Sequence, residues 1–333
     1  MTTMREIGEF GLIERLAAQV DAAELKGPEY EGFALRYGIG DDAAAWRLEG
    51  GIEVATTDTV VEGSHFTRET TPWSDLGWKA WAANISDVAS MGALPLTGVV
   101  TLGLPADLPV RYIEELYEGM LDGCHEYGTL IVGGDVVSSR DVFVSVTMNG
   151  VCIGEPLVRS AAKPGDAIAV AGRLGGSAGG LLLLQGGRVG GSRAGQALIE
   201  AHRRPRPSVD AGLRVVRAGL RCAMDLSDGL VADLAKMCRA SGVGARIDAA
   251  RVPVAPALLE AFPDEALQIA LGSGEEYVLL FAGPRDAART LAAELPSATV
   301  IGEITEDEAG RVRVVDGSGA DIPVDRTGWE HLR

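Results

Sequence analysis

The sequence predicts a two-domain α/β (α+β) protein, and three observations carry that expectation. The chain has 333 residues, long for a single core. Strand-like and helix-like runs alternate without a strict repeat, which suggests mixed layers rather than a solenoid. The polar turn SAAKPGD at 160–166 interrupts the pattern, and a new apolar run follows it. A boundary near residue 155 is therefore expected, with domains at 1–155 and 156–333.

The elements follow in order. EFGLIERLAAQV reads as an opening amphipathic helix, and a polar segment leads from it to GIGDDAAAWRL and IEVATTDTVVEG, both suited to strands. SDLGWKAWAANISDVASMGA carries Leu76, Lys79, Ala80, Ala83, Ile85, Val88 and Met91 at helical spacing, with glycine near its end. PLTGVVTLGLP reads as a buried strand, RYIEELYEGMLDGCHEYG as a helix with an acidic outer face, and TLIVGGDV and DVFVSVTMNGVCIG as further strands.

The second half starts with the strand AIAVAG. LGGSAGGLLLLQ, a glycine-rich loop at 186–195, the helix PSVDAGLRVVRAG and CAMDLSDGLVADLAKMCRASG come next. The strand GARIDAARV, the segment ALQIALGSGEEYVLLFAG, the helix PRDAARTLAAEL and the strand TVIGEI complete the series.

Composition excludes several classes. Hydrophobic residues make up 47% and charged residues 23%, and the 44 glycines are spread along the chain, so neither a fibrous nor a disordered protein is expected. A formal charge of −17 opposes a nucleic-acid partner, which would need clustered Lys and Arg. The one dense basic run, RRPRP at 203–207, reads as a solvated turn between helices. Four cysteines without CxxC spacing fit free thiols in a reducing compartment. The N-terminal stretch has charges throughout and no apolar core for a signal or a membrane span, so a cytoplasmic location is expected.

Acidic residues at the ends of apolar runs carry the chemistry: Asp41 and Asp42, Asp58, Asp87, Asp135, and Asp225 with Asp228. Each one alone reads as a turn or cap residue. In MDLSDGL, Asp228 or Ser227 could cap the helix that follows, or Asp225 and Asp228 could face a site. Seven such acids among Gly, Ser, Thr and Ala would repel one another unless cations neutralise them. Magnesium suits them: it prefers oxygen ligands and takes one or two carboxylates alongside phosphates and water. Zinc spacing is lacking, as are GxxxxGK[ST] and the protein-kinase HRD and DFG sets. The glycines of AGRLGGSAGG miss the GxGxxG spacing and read as close helix packing.

GEFGLIERL, GIGDDAA, TTDTVVEGSHF, KAWAANISDVASMGA, IVGGDV, DLSDGL and SGEEYVLLF together resemble the thiamine-monophosphate kinases, of the aminoimidazole-ribonucleotide-synthetase-like superfamily. The likeness runs from about residue 7 to residue 330. It implies a two-domain PurM-like fold whose N-terminal domains pair their sheets across a homodimer, with ATP and several Mg²⁺ ions in a cleft between the domains. The implied reaction is ATP plus thiamine phosphate giving thiamine diphosphate. By the same resemblance, Asp42, Thr56, Thr57, Asp58, Asp87, Asp135, Asp225 and Asp228 hold magnesium. Tyr117, Gly134, Asp135, Arg159 and Ser227 contact ATP, and His65, Glu275 and Trp329 contact thiamine phosphate. Selenophosphate synthetases usually place a reactive cysteine near the N-terminus, whereas the first here is Cys124. A purine cyclo-ligase fits EGSHF and SGEEY less well. An inactive acidic metal-binding scaffold would bind magnesium without transferring phosphate.

Overall fold

The computed structural model describes residues 2–39, 43–186 and 191–329. They divide into two compact units. The first holds the described residues up to Val88 together with Leu94–Ile153. The second holds Ala89–Ala93 and the described residues from Gly154 onward. The short excursion at 89–93 is tied into the second unit by the Leu157 amide, which donates to the Met91 carbonyl at 2.9 Å.

In the first unit, α1 (Met4–Ala22) is followed by β1 (Phe33–Tyr37) and β2 (Ala45–Leu48), which pair antiparallel as a separate two-stranded sheet. The polar segment after α1 thus contains a strand, β1, that periodicity did not disclose. Then come β3 (Ile52–Val61), α2 (Trp73–Ser90), β4 (Leu94–Leu104), α3 (Val110–Tyr127), β5 (Leu130–Ser138) and β6 (Phe143–Cys152). The four long strands form one sheet in the order β3-β6-β4-β5, so β3 and β5 are its edges.

Strict alternation along β6 buries Val144, Val146 and Met148 on one face and leaves Ser145 and Thr147 half-buried on the other. The buried face is covered by α2: Gly98 of β4 lies under the Trp81 ring, and Gly150 of β6 lies under Val88. Trp81 is fully buried, and its indole N–H donates to Thr129 Oγ1 at 2.9 Å. A buried indole of this kind finds a partner because leaving the N–H unpaired is costly.

The second unit contains β7 (Ala167–Ala171), α4 (Gly176–Gln185), α5 (Arg193–Arg203), α6 (Val209–Arg217), β8 (Cys222–Asp225), α7 (Leu230–Ser241) and β9 (Gly244–Asp248). It continues with α8 (Pro256–Ala261), α9 (Ala266–Gly272), β10 (Leu279–Gly283), α10 (Arg285–Glu294), β11 (Ala298–Thr305) and β12 (Val312–Val315). Its six strands run β12-β9-β11-β7-β10-β8, antiparallel except for β12 beside β9.

Every residue of β7 and β10 is buried, which explains their continuous apolar runs: both faces of this sheet are covered. Ile168 and Val170 join a core with Leu230, Leu234 and Met237 of α7, while Ala167, Ala169 and Ala171 join one with Val215 of α6 and Leu291 of α10. A third cluster packs α4, α5 and α8 through Leu184, Leu198 and Leu258. Helix α5 was not anticipated, because glycines at its start and arginines at its end masked its apolar face. The RRPRP run is the turn from α5 into α6. All four cysteines are buried thiols outside any disulfide.

Candidate functional site

In the first unit the candidate acids gather where β3 meets α2. The Thr56 hydroxyl donates to Asp87 Oδ2 at 2.5 Å. Thr56 and Asp58 lie two apart on β3 and so share its helix-covered face, while Asp87 comes from α2. The Asp58 amide, on the unpaired side of this edge strand, donates to Asn84 Oδ1 at 3.1 Å, and Asn84 Nδ2 bonds the Ala80 carbonyl at 3.0 Å. Asn84 is fully buried and stands three residues before Asp87, on the same side of α2. Sequence reasoning passed over Asn84, although its i, i+3 spacing to Asp87 was a usable signal.

Thr57 and Asp135 are placed differently. Thr57 faces the side of the sheet opposite Asp58, where its hydroxyl meets Thr147 Oγ1 at 3.1 Å and the Val146 carbonyl at 3.0 Å. Asp135 sits on β5, paired in register with Thr101, and its carboxylate accepts the Val136 amide at 2.9 Å. Three strand spacings, roughly 14 Å, separate the two edges of the sheet, so Asp58 and Asp135 do not meet within it. Gly134 has a structural reason to be glycine: a Cβ there would stand 2.1 Å from the Val100 carbonyl oxygen. Asp41 and Asp42 lie outside the described residues.

His65 occupies the turn after β3. Its Nδ1 accepts the Val61 amide at 3.1 Å, so a neutral ring carries its proton on Nε2. Tyr117 faces the core of its unit at 5% exposure, and burial pushes its phenol above the ordinary range.

In the second unit Asp225 ends β8 opposite Leu279, at 3% exposure. The turn that follows departs from the capping expectation. Helix α7 starts at Leu230, Gly229 takes the cap position, and neither Ser227 nor Asp228 caps it by its side chain. Asp233, inside the first turn, does the work in reverse: its Oδ2 accepts the amides of Ser227, Asp228 and Gly229 at 3.0, 2.9 and 3.0 Å. Burial raises the pKa of Asp233, and the Lys236 ammonium, 2.7 Å from its Oδ1, works against that rise. Lys236 also bonds the Asp228 carboxylate, so Asp228 already holds a cationic partner.

Two other candidates join this turn, whereas Arg159 lies away from it, beside Cys222 at the start of β8 and Ser241 at the end of α7. The Glu275 amide donates to the Ser227 carbonyl at 2.8 Å, and the Trp329 amide to the Asp228 carbonyl at 3.0 Å. Trp329 is 47% exposed, with the Arg326 guanidinium 5.6 Å from its ring centre. Arg159, on a 3-10 turn beside β8, keeps its side chain exposed while its carbonyl accepts the Ser241 hydroxyl at 2.8 Å. Asp225, Ser227, Asp228, Glu275 and Trp329 are thus brought together where the turn after β8 meets loop 273–277 and the stretch carrying Trp329.

The donors fit magnesium. Asp58 and Asp87 with the Thr56 hydroxyl offer hard oxygens without nitrogen or sulfur, and Asp225 and Asp228 repeat the pattern. Among the described residues no three His, Cys, Asp or Glu side chains converge. Magnesium does not require such a cage, since it is usually held by one or two carboxylates with substrate phosphates and water.

Residues 40–154 match the family AIR synthase related protein, N-terminal domain, and residues 163–315 its C-terminal domain. The thiamine-monophosphate kinase of Escherichia coli (strain K12) is 36% identical over 98% of this chain and 98% of its own. The crystal structure of thiamine-monophosphate kinase from Stenotrophomonas maltophilia K279a aligns with a TM-score of 0.79 at 36% identity, covering 95% of this chain and 98% of that one. The structure of AaThiL complexed with AMPPCP and TMP aligns with a TM-score of 0.77 at 30% identity, over 100% and 99% of the two chains.

Proposed function

The chain belongs to the thiamine-monophosphate kinase family of AIR synthase related proteins, and we propose that it phosphorylates thiamine monophosphate to thiamine diphosphate with ATP. The observation that carries this reading is the end-to-end likeness to those kinases, including a structure that holds AMPPCP and TMP together.

The acceptor is a phosphate monoester, already largely ionised near neutral pH, so attack on the γ-phosphorus needs no general base. Two anions must instead be brought together in line. In the first unit Asp58, Asp87 and Thr56 would hold magnesium, with Asp42, while Asp135 would hold it separately at the other edge of the sheet and Thr57, on the opposite face, stands apart from the group; Asp225 and Asp228 would hold it in the second unit. Magnesium, when bound, offsets charge on the transferring phosphoryl group. Asp228 must exchange the Lys236 ammonium to take part.

In the second unit the Ser227 hydroxyl of the turn after β8 and, apart from it, the exposed Arg159 guanidinium suit phosphate oxygens, and in the first unit the bare backbone at Gly134 suits nucleotide contact. Thiamine carries a cationic thiazolium ring. In the second unit the Glu275 carboxylate and the Trp329 face are complementary to it, and in the first unit the His65 ring carries an N–H suited to a phosphate oxygen. Transfer is direct, with no phosphoenzyme.

The helix-free face of the four-stranded sheet, with Thr57, Val99, Thr147 and the 39%-exposed Val137, supports a homodimer paired sheet to sheet. No described helix is long and apolar enough to cross a membrane, and cytoplasmic work suits four cysteines that form no disulfide.

The test is to incubate purified protein with ATP, magnesium and thiamine monophosphate, with free thiamine as the control acceptor. Thiamine diphosphate should form from the monophosphate alone. Absence of product, or a labelled phosphoprotein trapped with ATP alone, would contradict the scheme.

A further inference from the structure

Glu276 is 8% exposed, and its Oε1 accepts three hydrogen bonds: from the Gly175 amide at 2.9 Å, the Ser177 amide at 3.2 Å and the Ser273 hydroxyl at 2.7 Å. The amides belong to the start of α4, where Gly175, in the left-handed region at φ +85°, occupies the cap position and has no side chain to cap with. A carboxylate from a segment 101 residues away supplies the missing acceptor.

Ser177 is shared. Its amide reaches Glu276, and its hydroxyl lies 3.1 Å from His202 Nδ1. His202, 3% exposed on α5, stands 3.6 Å from Glu275 Oε2. The four residues therefore form a circuit that begins and ends at neighbours in the chain. Glu275 and Tyr277, on either side of Glu276, adopt φ +59° and +52°. L side chains rarely do so unless the surroundings over-determine the backbone.

We propose that Glu276 is a positioning residue for the acceptor: its buried carboxylate pins loop 273–277 to the first turn of α4 and so fixes how Glu275 presents its own carboxylate. The inference rests on the reading of Glu275 as a thiamine phosphate contact. Glu276 does not touch substrate. It acts through backbone it holds in a strained form, and the His202 ring lies beside the carboxylate of Glu275, 3.6 Å away. The nucleotide side of the same loops has its own anchor, since Asp233 holds the Ser227, Asp228 and Gly229 amides independently. Disturbing Glu276 should therefore be felt by the acceptor before ATP.

The experiment compares Glu276→Ala, Glu276→Gln and Glu275→Gln in the full chain, reading KM for thiamine monophosphate and for ATP separately. Glu276→Ala should raise the acceptor KM about tenfold, with the ATP KM changed by less than about twofold. Glu276→Gln keeps an acceptor oxygen and should recover most of the loss. Glu275→Gln should raise the acceptor KM at least as far. If Glu275→Gln leaves the acceptor KM alone, the reading of Glu275 fails and takes the proposal with it. If Glu275→Gln raises it but Glu276→Ala does not, or raises both constants equally, only the positioning role is overturned. Should Glu276→Ala fail to fold, Ser273→Ala removes one of the three hydrogen bonds. It should raise the acceptor KM about two- to threefold, and an unchanged value overturns the proposal.

Discussion

The Asp58 amide donates to Asn84 Oδ1 at 3.1 Å, joining the exposed edge of β3 to a fully buried side chain of α2. This bond ties strand to helix one turn of α2 from the point where Thr56 and Asp87 touch. Asn84→Ala leaves an edge amide and the Ala80 carbonyl without that partner. Stability should fall by about 1–3 kcal/mol and turnover at least tenfold. Denaturant unfolding and steady-state rates check both, and a variant as active as the parent would show that Asn84 only fills space.

Asp58→Ala should abolish turnover while leaving the fold intact, because Asp58 is exposed on an edge strand and its amide still reaches Asn84. Circular dichroism and the diphosphate assay are the readouts. Unimpaired activity would remove Asp58 from the metal-binding set.

Lys236 neutralises two carboxylates at once, one of them on the fully buried Asp233. Lys236→Met should cost on the order of 3 kcal/mol, since a buried charge then lacks its counterion. It should also lower the magnesium concentration needed for half-maximal rate, because a cation at Asp228 no longer displaces an ammonium. An unchanged or higher magnesium requirement would argue against Asp228 as a ligand.

Burial is the main cause that places the Glu276 carboxyl at about 7 rather than 4.5, against the pull of Ser273 and the Ser177 and Gly175 amides. The folded chain thus keeps a proton that the unfolded chain has lost across that window. The group's stabilising effect is complete below about pH 4.5 and declines as pH rises to about 7, by on the order of 3 kcal/mol in all. Unfolding at pH 5 and pH 8 should show that decline in the parent and a smaller one in Glu276→Gln. Equal slopes in the two proteins would rule the effect out.

The large elements were legible because their burial is nearly total: α2 is buried at every residue but Ser74, Asp75 and Asp87, and β7 and β10 have no exposed residue at all. Short elements were not. β1 carries five residues with no buried position, and α5 shows its apolar face only through Ala194, Leu198 and Ile199. The acids were visible as residue types, but their partners were not. Thr56 meets Asp87 across 31 positions, and Glu276 meets Gly175 across 101, distances over which no local pattern speaks. Asp233 was hidden for another reason. An acid in a first helical turn ordinarily faces water and favours the helix dipole, whereas here it folds back to build the preceding loop.

The sealed cysteines give the protein an internal clock. Burial lifts the thiols of Cys124 and Cys222 to about 12 and that of Cys238 to about 11, so almost no thiolate exists in the native state. Cys124 lies in the first unit and Cys222 and Cys238 in the second. Alkylation under mild denaturant should therefore time the opening of each half separately, with mass spectrometry of the labelled peptides telling which loosens first.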